Sequence, residues 1–138
     1  MFRAFPLLFI SVALYNVFAI FQVVTHSAAN AAAKLATPVI NVPMPMNSTW
    51  AVSAGDLMLI LALVLLFFEM VRATNARKVE IINHSLSLIV FIVCLVEFLL
   101  MPGFQTTVFF LISLMALMDV LAGFIVTIVS SRREIDVA

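Results

Sequence analysis

Acidic side chains inside long apolar runs are the most chemically informative residues of this sequence. Asp119 lies in the middle of LISLMALMDVLAGFIVTIV, residues 111–129, and Glu97 lies in a second apolar run, residues 81–101. A charged side chain at the centre of a bilayer costs roughly 2.5–3.5 kcal/mol on insertion scales, so such residues face protein or a water-filled cavity. Two interpretations follow: a relay for protons or cations, and a buried hydrogen bond that fixes the register of the helices.

The depth of each polar residue follows from the helical rise of about 1.5 Å per residue. This rise places Asn16 and Tyr15 near the level of Asp119, close to the middle of the membrane. An Asp119–Asn16 or Asp119–Tyr15 hydrogen bond is therefore the expected structural role of the acid. Asp119 and Glu97 together are the expected relay residues, on a polar path from the outer side to the midplane.

A second polar group is expected near the cytoplasmic side. Glu69 and His84 fall at similar depths on two different apolar runs, and Arg72 follows Glu69 by three residues. A spacing of three on a helix favours a Glu69–Arg72 ion pair, and a Glu69–His84 bridge is the alternative. His26 and His84 lie on opposite sides of the membrane, which argues against a haem held by two histidines of one chain.

Four apolar runs carry these residues. The chain of 138 residues is 65% hydrophobic and 10% charged, with a mean hydropathy of +1.26. A soluble domain of this size cannot bury so much apolar surface. Runs of about 20 apolar residues span a bilayer as helices, because a helix satisfies its own backbone groups. We therefore expect an all-α integral membrane four-helix bundle, a single transmembrane domain over residues 1–138. Its spans are predicted near 5–24, 56–71, 81–101 and 106–129.

The distribution of basic residues predicts the orientation. Lys34 is the only basic residue in the long loop between the first two spans. The other six lie together on the opposite side of a four-span arrangement: Arg3, Arg72, Arg77, Lys78, Arg132 and Arg133. The positive-inside rule then places both termini in the cytoplasm. The first span also has features of a secretory signal, whose cleavage would leave three spans.

Small residues recur at helical spacing on the third and fourth spans. The stripe on the fourth span comprises Ser113, Ala116, Asp119, Gly123 and Thr127. The seam on the third span comprises Asn83, Ser87, Val90, Cys94 and Glu97. Because small residues allow close approach of helices, we expect the two stripes to face each other across the short Pro102–Gly103 turn.

The outer loop, residues 25–55, is the only sizeable segment outside the spans. THSAANAAAKLA is rich in alanine and is expected to continue the first helix, whereas the three prolines that follow predict an extended segment or a short hairpin. SAGD, residues 53–56, predicts a capping box, and a threonine of residues 106–107 can cap the fourth span. His26, Met44 and Met46 are weak candidates for a copper(I) site.

The functional predictions are mostly exclusions. Zero net charge gives no reason to expect nucleic acid binding, and no catalytic motif or cofactor motif is present, so we expect neither an enzyme nor a cofactor. In layout the chain resembles small four-span inner-membrane proteins of bacteria, which implies the bacterial inner membrane. The first hypothesis is an accessory, assembly or structural subunit that acts by helix association in the bilayer, as a homo-oligomer or in a larger complex. The alternatives are an oligomeric transporter of protons, ions or small solutes, and a copper(I)-linked membrane factor.

Overall fold

The described part of the chain consists of five helices and one β-hairpin. The structure is a computed structural model that describes residues 5–73 and 78–137, without the side chains of residues 29, 73 and 78–81. In chain order the elements are α1 (Leu8–Thr25), α2 (Ala28–Leu35), β1 (Pro38–Met44), β2 (Ser48–Ser53), α3 (Ala54–Ala73), α4 (Lys78–Leu100) and α5 (Thr107–Val137). Arg3, Arg77 and the side chain of Lys78, which support the predicted orientation, lie outside the described residues.

Four of the described helices, α1, α3, α4 and α5, are long and apolar enough to cross a membrane. A mostly helical chain of this kind is compatible with the all-α class expected from the sequence. Each of these helices begins and ends within three residues of its predicted span, except at the end of α5. The largest difference is at α5, which runs on to Val137 through SRREID, where arginine and glutamate favour the helix.

The alanine-rich segment does not continue α1, and that prediction was wrong. His26 leaves the helical conformation, with φ −133° and ψ −86°, and Ser27 is extended, so α2 starts as a separate helix. The change of direction buries Ala31 and Leu35 on one face of α2. That face lies over Gly55, at the start of α3, and over Gly103, in the turn after α4. Burial of apolar side chains therefore outweighs the helix propensity of the alanines.

The proline-rich segment forms the antiparallel hairpin β1–β2, in agreement with the prediction of a short hairpin. Its register pairs Met44 with Ser48 and Val42 with Trp50. The turn residues Met46 and Asn47 both have positive φ, 69° and 54°. These two residues close a three-residue loop, residues 45–47, between the paired residues Met44 and Ser48.

The two ends of the long helices are distinct. At one end, which we call the hairpin end, α1 and α4 terminate and α3 and α5 begin beside β1–β2. At the other, the basic end, α1 begins and α3 finishes with Arg72 in its last turn. The helix starts at the hairpin end are capped as the sequence predicts. Ser53 and Asp56 form the capping box of α3, and Thr106 Oγ1 accepts the amide of Phe109 in the first turn of α5.

An aromatic core fills the hairpin end. Tyr15 of α1 lies between Phe104 and Phe109, with ring centroids 5.7 and 4.6 Å away. The Tyr15 hydroxyl is bonded to Thr106 Oγ1 and donates to the carbonyl oxygen of Gly103 at 3.2 Å. Gly103 has φ +86°, a conformation that suits glycine and allows the sharp turn between α4 and α5. This core holds α1 against the α4–α5 turn, and the polar residues discussed next lie toward the other end.

Candidate functional site

Two titratable side chains of the facing helices α4 and α5, His84 and Asp119, lie beside each other. His84 Nδ1 lies 3.9 Å from Asp119 Oδ1, and the side chains are 7% and 0% exposed. Both belong to apolar helices that pack side by side along their length. An acid and an imidazole therefore meet inside the helix packing, away from solvent.

Gly123 makes room for the imidazole ring. Gly123 lies one turn after Asp119 on the same face of α5, and both residues are buried. A Cβ atom built on Gly123 would collide with ring atoms of His84, including Cγ and Nδ1. The ring thus packs directly against the backbone of α5, and this close approach places it beside the carboxyl group of Asp119.

The pair has unused hydrogen-bonding capacity. Within the described residues, neither ring nitrogen of His84 and neither carboxyl oxygen of Asp119 has a hydrogen-bond partner. The Ser87 side chain lies beside the Asp119 carboxyl group, but its hydroxyl donates to the carbonyl oxygen of Asn83 at 3.1 Å. A buried polar group without a partner costs about 1–3 kcal/mol. Buried polar groups in proteins normally have a hydrogen-bond partner, so these four atoms require an explanation.

Glu69 of α3 lies at the start of α1 and satisfies the amide groups there. Its Oε1 accepts the Leu7 amide at 3.2 Å and its Oε2 accepts the Leu8 amide at 3.0 Å. Asn83 of α4 donates from Nδ2 to Glu69 Oε1 at 3.0 Å. Glu69 is 1% exposed, so one buried carboxylate joins three helices.

These residues form one group, the polar cluster, which comprises Glu69, Asn83, His84, Ser87 and Asp119. Glu69 and Asp119 are close enough for their carboxyl groups to interact electrostatically. Asn83 bonds to Glu69, and its neighbour in sequence, His84, contacts Asp119. The cluster therefore connects α3, α4 and α5 at the level where α1 begins, in the half of the helix packing nearer the basic end.

The predicted partners of Asp119 lie elsewhere. Asn16 donates from Nδ2 to Glu97 Oε2 at 3.1 Å, and Tyr15 is bonded to Thr106 and Gly103. The expected Asp119–Asn16 and Asp119–Tyr15 bonds are absent from the described residues, where Asp119 has no hydrogen bond. Leu8 lies level with Glu69, so Asn16, eight residues later on α1, lies about 12 Å nearer the hairpin end than the polar cluster.

The interface between α4 and α5 brings the two predicted stripes together. Ser113, Ala116, Asp119 and Gly123 are buried along α5, and Asn83, Ser87 and Cys94 are buried along α4. Cys94 lies beside Ser113, nearer the hairpin end than the His84–Asp119 pair. Thr127 is only half-buried, and its hydroxyl donates to the carbonyl oxygen of Gly123 at 2.9 Å. Glu97 is half-buried at the hairpin end of the seam.

Of the two pairs predicted for Glu69, the bridge to His84 is absent from the described residues, and the ion pair with Arg72 remains a prediction. Glu69 bonds to Asn83, and His84 contacts Asp119 instead of Glu69. Arg72 is half-buried in the last turn of α3, one turn beyond Glu69. The sequence contained one sign of the His84–Asp119 contact: a glycine one turn after the buried acid leaves space for a large side chain on the facing helix.

The copper candidates occupy separate elements. His26 lines a cleft of about 230 Å³ with Asn30, Ala33, Lys34 and Thr37. Met44 ends β1, and Met46 is 97% exposed in the hairpin turn. Among the described residues, no group of three or more His, Cys, Asp and Glu side chains is arranged to hold a metal ion.

Comparison of the chain with protein families, with curated proteins and with solved structures found no match. The functional argument therefore depends on the geometry of the polar cluster.

Proposed function

We propose that this chain is an integral membrane four-helix bundle that binds and transfers protons at His84 and Asp119. The observation that carries the proposal is the burial of an unpartnered imidazole and an unpartnered carboxyl group 3.9 Å apart between two apolar helices. Ionisable residues within membrane spans commonly mark proton or ion pathways. Of the alternatives considered from the sequence, this favours the transporter over a purely structural subunit.

The chemistry of the pair is a reversible gain of one proton. The proton resides on the Asp119 carboxyl group or on the His84 imidazole, and each position leaves the other group able to accept a hydrogen bond. Loading one proton raises the net charge of the pair by one. Because the surroundings are apolar, that change in charge has a large electrostatic effect on neighbouring groups such as Glu69.

The orientation proposed here follows from the basic residues. Arg72, Arg132 and Arg133 belong to the ends of α3 and α5 that lie away from the hairpin, and Lys34 belongs to α2 at the hairpin end. By the positive-inside rule the basic end faces the cytoplasm of a bacterium and the hairpin faces outward. Reporter tags at Ala138 and near Lys34 test this arrangement, and detection of both tags in the same compartment would contradict it.

Proton flux into liposomes that contain the purified protein tests the proposed activity. Asp119→Asn keeps the shape of the side chain but removes the titrating group, and it is expected to lower the flux at least about tenfold. Glu134→Gln is the matched control, because it removes a carboxylate at an exposed position near the end of α5 and is expected to retain flux. Equal flux from Asp119→Asn and the unaltered protein would refute the proposal.

Helix association, the first hypothesis from the sequence, remains a prediction and is compatible with a proton site. A small bundle with a proton-binding site can act as a homo-oligomer or as one subunit of a larger complex. Purification in mild detergent followed by mass spectrometry distinguishes these forms. A stoichiometric larger partner indicates the accessory role, and a homogeneous homo-oligomer indicates independent transport.

A further inference from the structure

We propose that Glu69 is a second proton-binding site and that its protonation releases the start of α1 from α3 and α4. This inference rests on the proposed function, because it assigns a route by which protons reach the His84–Asp119 pair from the basic end. It concerns a different residue, a different helix and a different measurement, so each proposal can fail without the other.

The amide groups at the start of α1 are all accounted for. A helix leaves its first amides without intrahelical partners, and apolar surroundings make each unpaired amide costly. The Phe9 and Ile10 amides bond to the carbonyl oxygens of Pro6 and Leu7 at 3.2 and 3.0 Å. The Leu7 and Leu8 amides bond to Glu69. Residue 6 is a proline and has no amide hydrogen that needs an acceptor. Glu69 accepts the two amides, of Leu7 and Leu8, that the neighbouring backbone leaves without a partner.

The arrangement around Glu69 suits the ionised carboxylate. An ionised carboxylate accepts hydrogen bonds at both oxygens, and Glu69 faces three N–H donors from Leu7, Leu8 and Asn83. A proton on either oxygen removes the negative charge that strengthens all three bonds. It also places an O–H group against the backbone N–H of Leu7 or Leu8, which can only donate. Protonation therefore weakens the attachment of α1 without breaking any covalent bond.

Other charged groups set the conditions for this change. Asp119 of α5 is close enough to interact electrostatically with Glu69. His84 of α4 contacts Asp119, and Arg72 lies one turn beyond Glu69 on α3. The described side chains at the start of α1 are apolar or hydroxylic and do not titrate: Phe5, Pro6, Leu7, Leu8 and Ser11. A proton that moves from Glu69 to Asp119 restores the carboxylate and thus the attachment of α1.

Release of α1 at this position opens a route to the polar cluster. Pro6 and Leu8 are fully buried, and Ser11 is 3% exposed on the inward side one turn later. The amide of Leu8 bonds to Glu69, so this turn of α1 packs against the polar cluster. Movement of this first turn exposes Pro6, Leu8 and Ser11, while the aromatic core around Tyr15 keeps the hairpin end of α1 in place.

The test measures reagent access to the inward face of α1. A cysteine is introduced by Ser11→Cys in a Cys94→Ser background, and its rate of reaction with N-ethylmaleimide is measured in liposomes across the acidic range. Ile10→Cys in the same background is the reference, because residue 10 lies at the same depth but is 51% exposed. The ratio of the two rates removes the direct effect of pH on thiol reactivity.

The expected ratio rises about tenfold or more between about pH 8 and about pH 5 when Glu69 is present. Glu69→Gln is expected to give a high ratio that does not change with pH, and Glu134→Gln, at an exposed residue of α5, is expected to behave like the parent. The proposal is overturned if the protein that retains Glu69 gives a ratio that stays constant with pH. This measurement needs no Glu69 variant. If the ratio does not change with pH but the flux depends on Asp119, the proposed function stands without the release of α1. If the ratio changes with pH but the flux does not depend on Asp119, only the release of α1 stands.

Discussion

The imidazole ring of His84 occupies the space in which a side chain at Gly123 would begin. Two helices can place a ring and a backbone this close only where one of them lacks a Cβ atom. The same contact places the ring beside Asp119, one turn away on α5. The smallest residue of the α5 stripe therefore determines where the His84 imidazole of the facing helix lies.

Gly123→Ala is expected to lower the free energy of unfolding by about 1–3 kcal/mol, because the added methyl group forces the His84 ring to move. The measurement is thermal unfolding in detergent, followed by helical circular dichroism. The matched control is the same substitution in a His84→Ala background, where the ring is absent and the methyl group has room. An equal cost in both backgrounds would show that the contact with His84 is not the reason for the glycine.

Asn16 and Glu97 are expected to stabilise each other by about 0.6 kcal/mol, the average found for polar contacts between membrane helices. Their bond joins α1 to α4 at 3.1 Å in a half-buried position. A double-mutant cycle with Asn16→Ala and Glu97→Ala measures the coupling. A second cycle that pairs Asn16→Ala with Leu99→Ala, at an exposed residue of the same helix, should give no coupling. Similar values in both cycles would argue against a specific bond.

Thr106→Ala is expected to lower the free energy of unfolding by about 1–2 kcal/mol, because the hydroxyl caps α5 and also bonds to Tyr15. Thr106→Ser keeps the hydroxyl and should retain most of the stability. Thr107→Ala changes the exposed neighbour and should have little effect. The same unfolding assay compares the three variants, and a loss for Thr107→Ala as large as that for Thr106→Ala would contradict the assignment.

Met46→Asn is expected to stabilise the hairpin by up to about 1 kcal/mol, because asparagine tolerates the positive φ of this turn position better than methionine does. Slower hydrogen exchange of the β1 and β2 amides is the measurement. Met44→Asn, at a strand position without positive φ, should give no such protection. Replacement of His26, Met44 and Met46 together tests the copper(I) hypothesis, and unchanged copper binding after that replacement would end it.

Local rules account for the parts of the fold that depend on neighbouring residues. The capping box of Ser53 and Asp56, the threonine cap of α5 and the turn at Gly103 were predictable because each involves groups only a few residues apart. The break between α1 and α2 was not predictable, because it depends on burial of Ala31 and Leu35 against distant residues. Alanine propensity is too weak to oppose that burial.

The amino-acid sequence by itself determined four helices long and apolar enough to span a membrane, and it identified the acids that require shelter inside them. Hydropathy and charge are properties of each segment, so they can be evaluated without knowing the neighbours. Only the tertiary structure decided which partners those acids have. Glu69 meets the Leu8 amide from 61 residues away, and Asp119 meets His84 instead of Asn16. Such pairings depend on where each helix starts and on how closely helices approach, and small shifts in either change the level of every side chain.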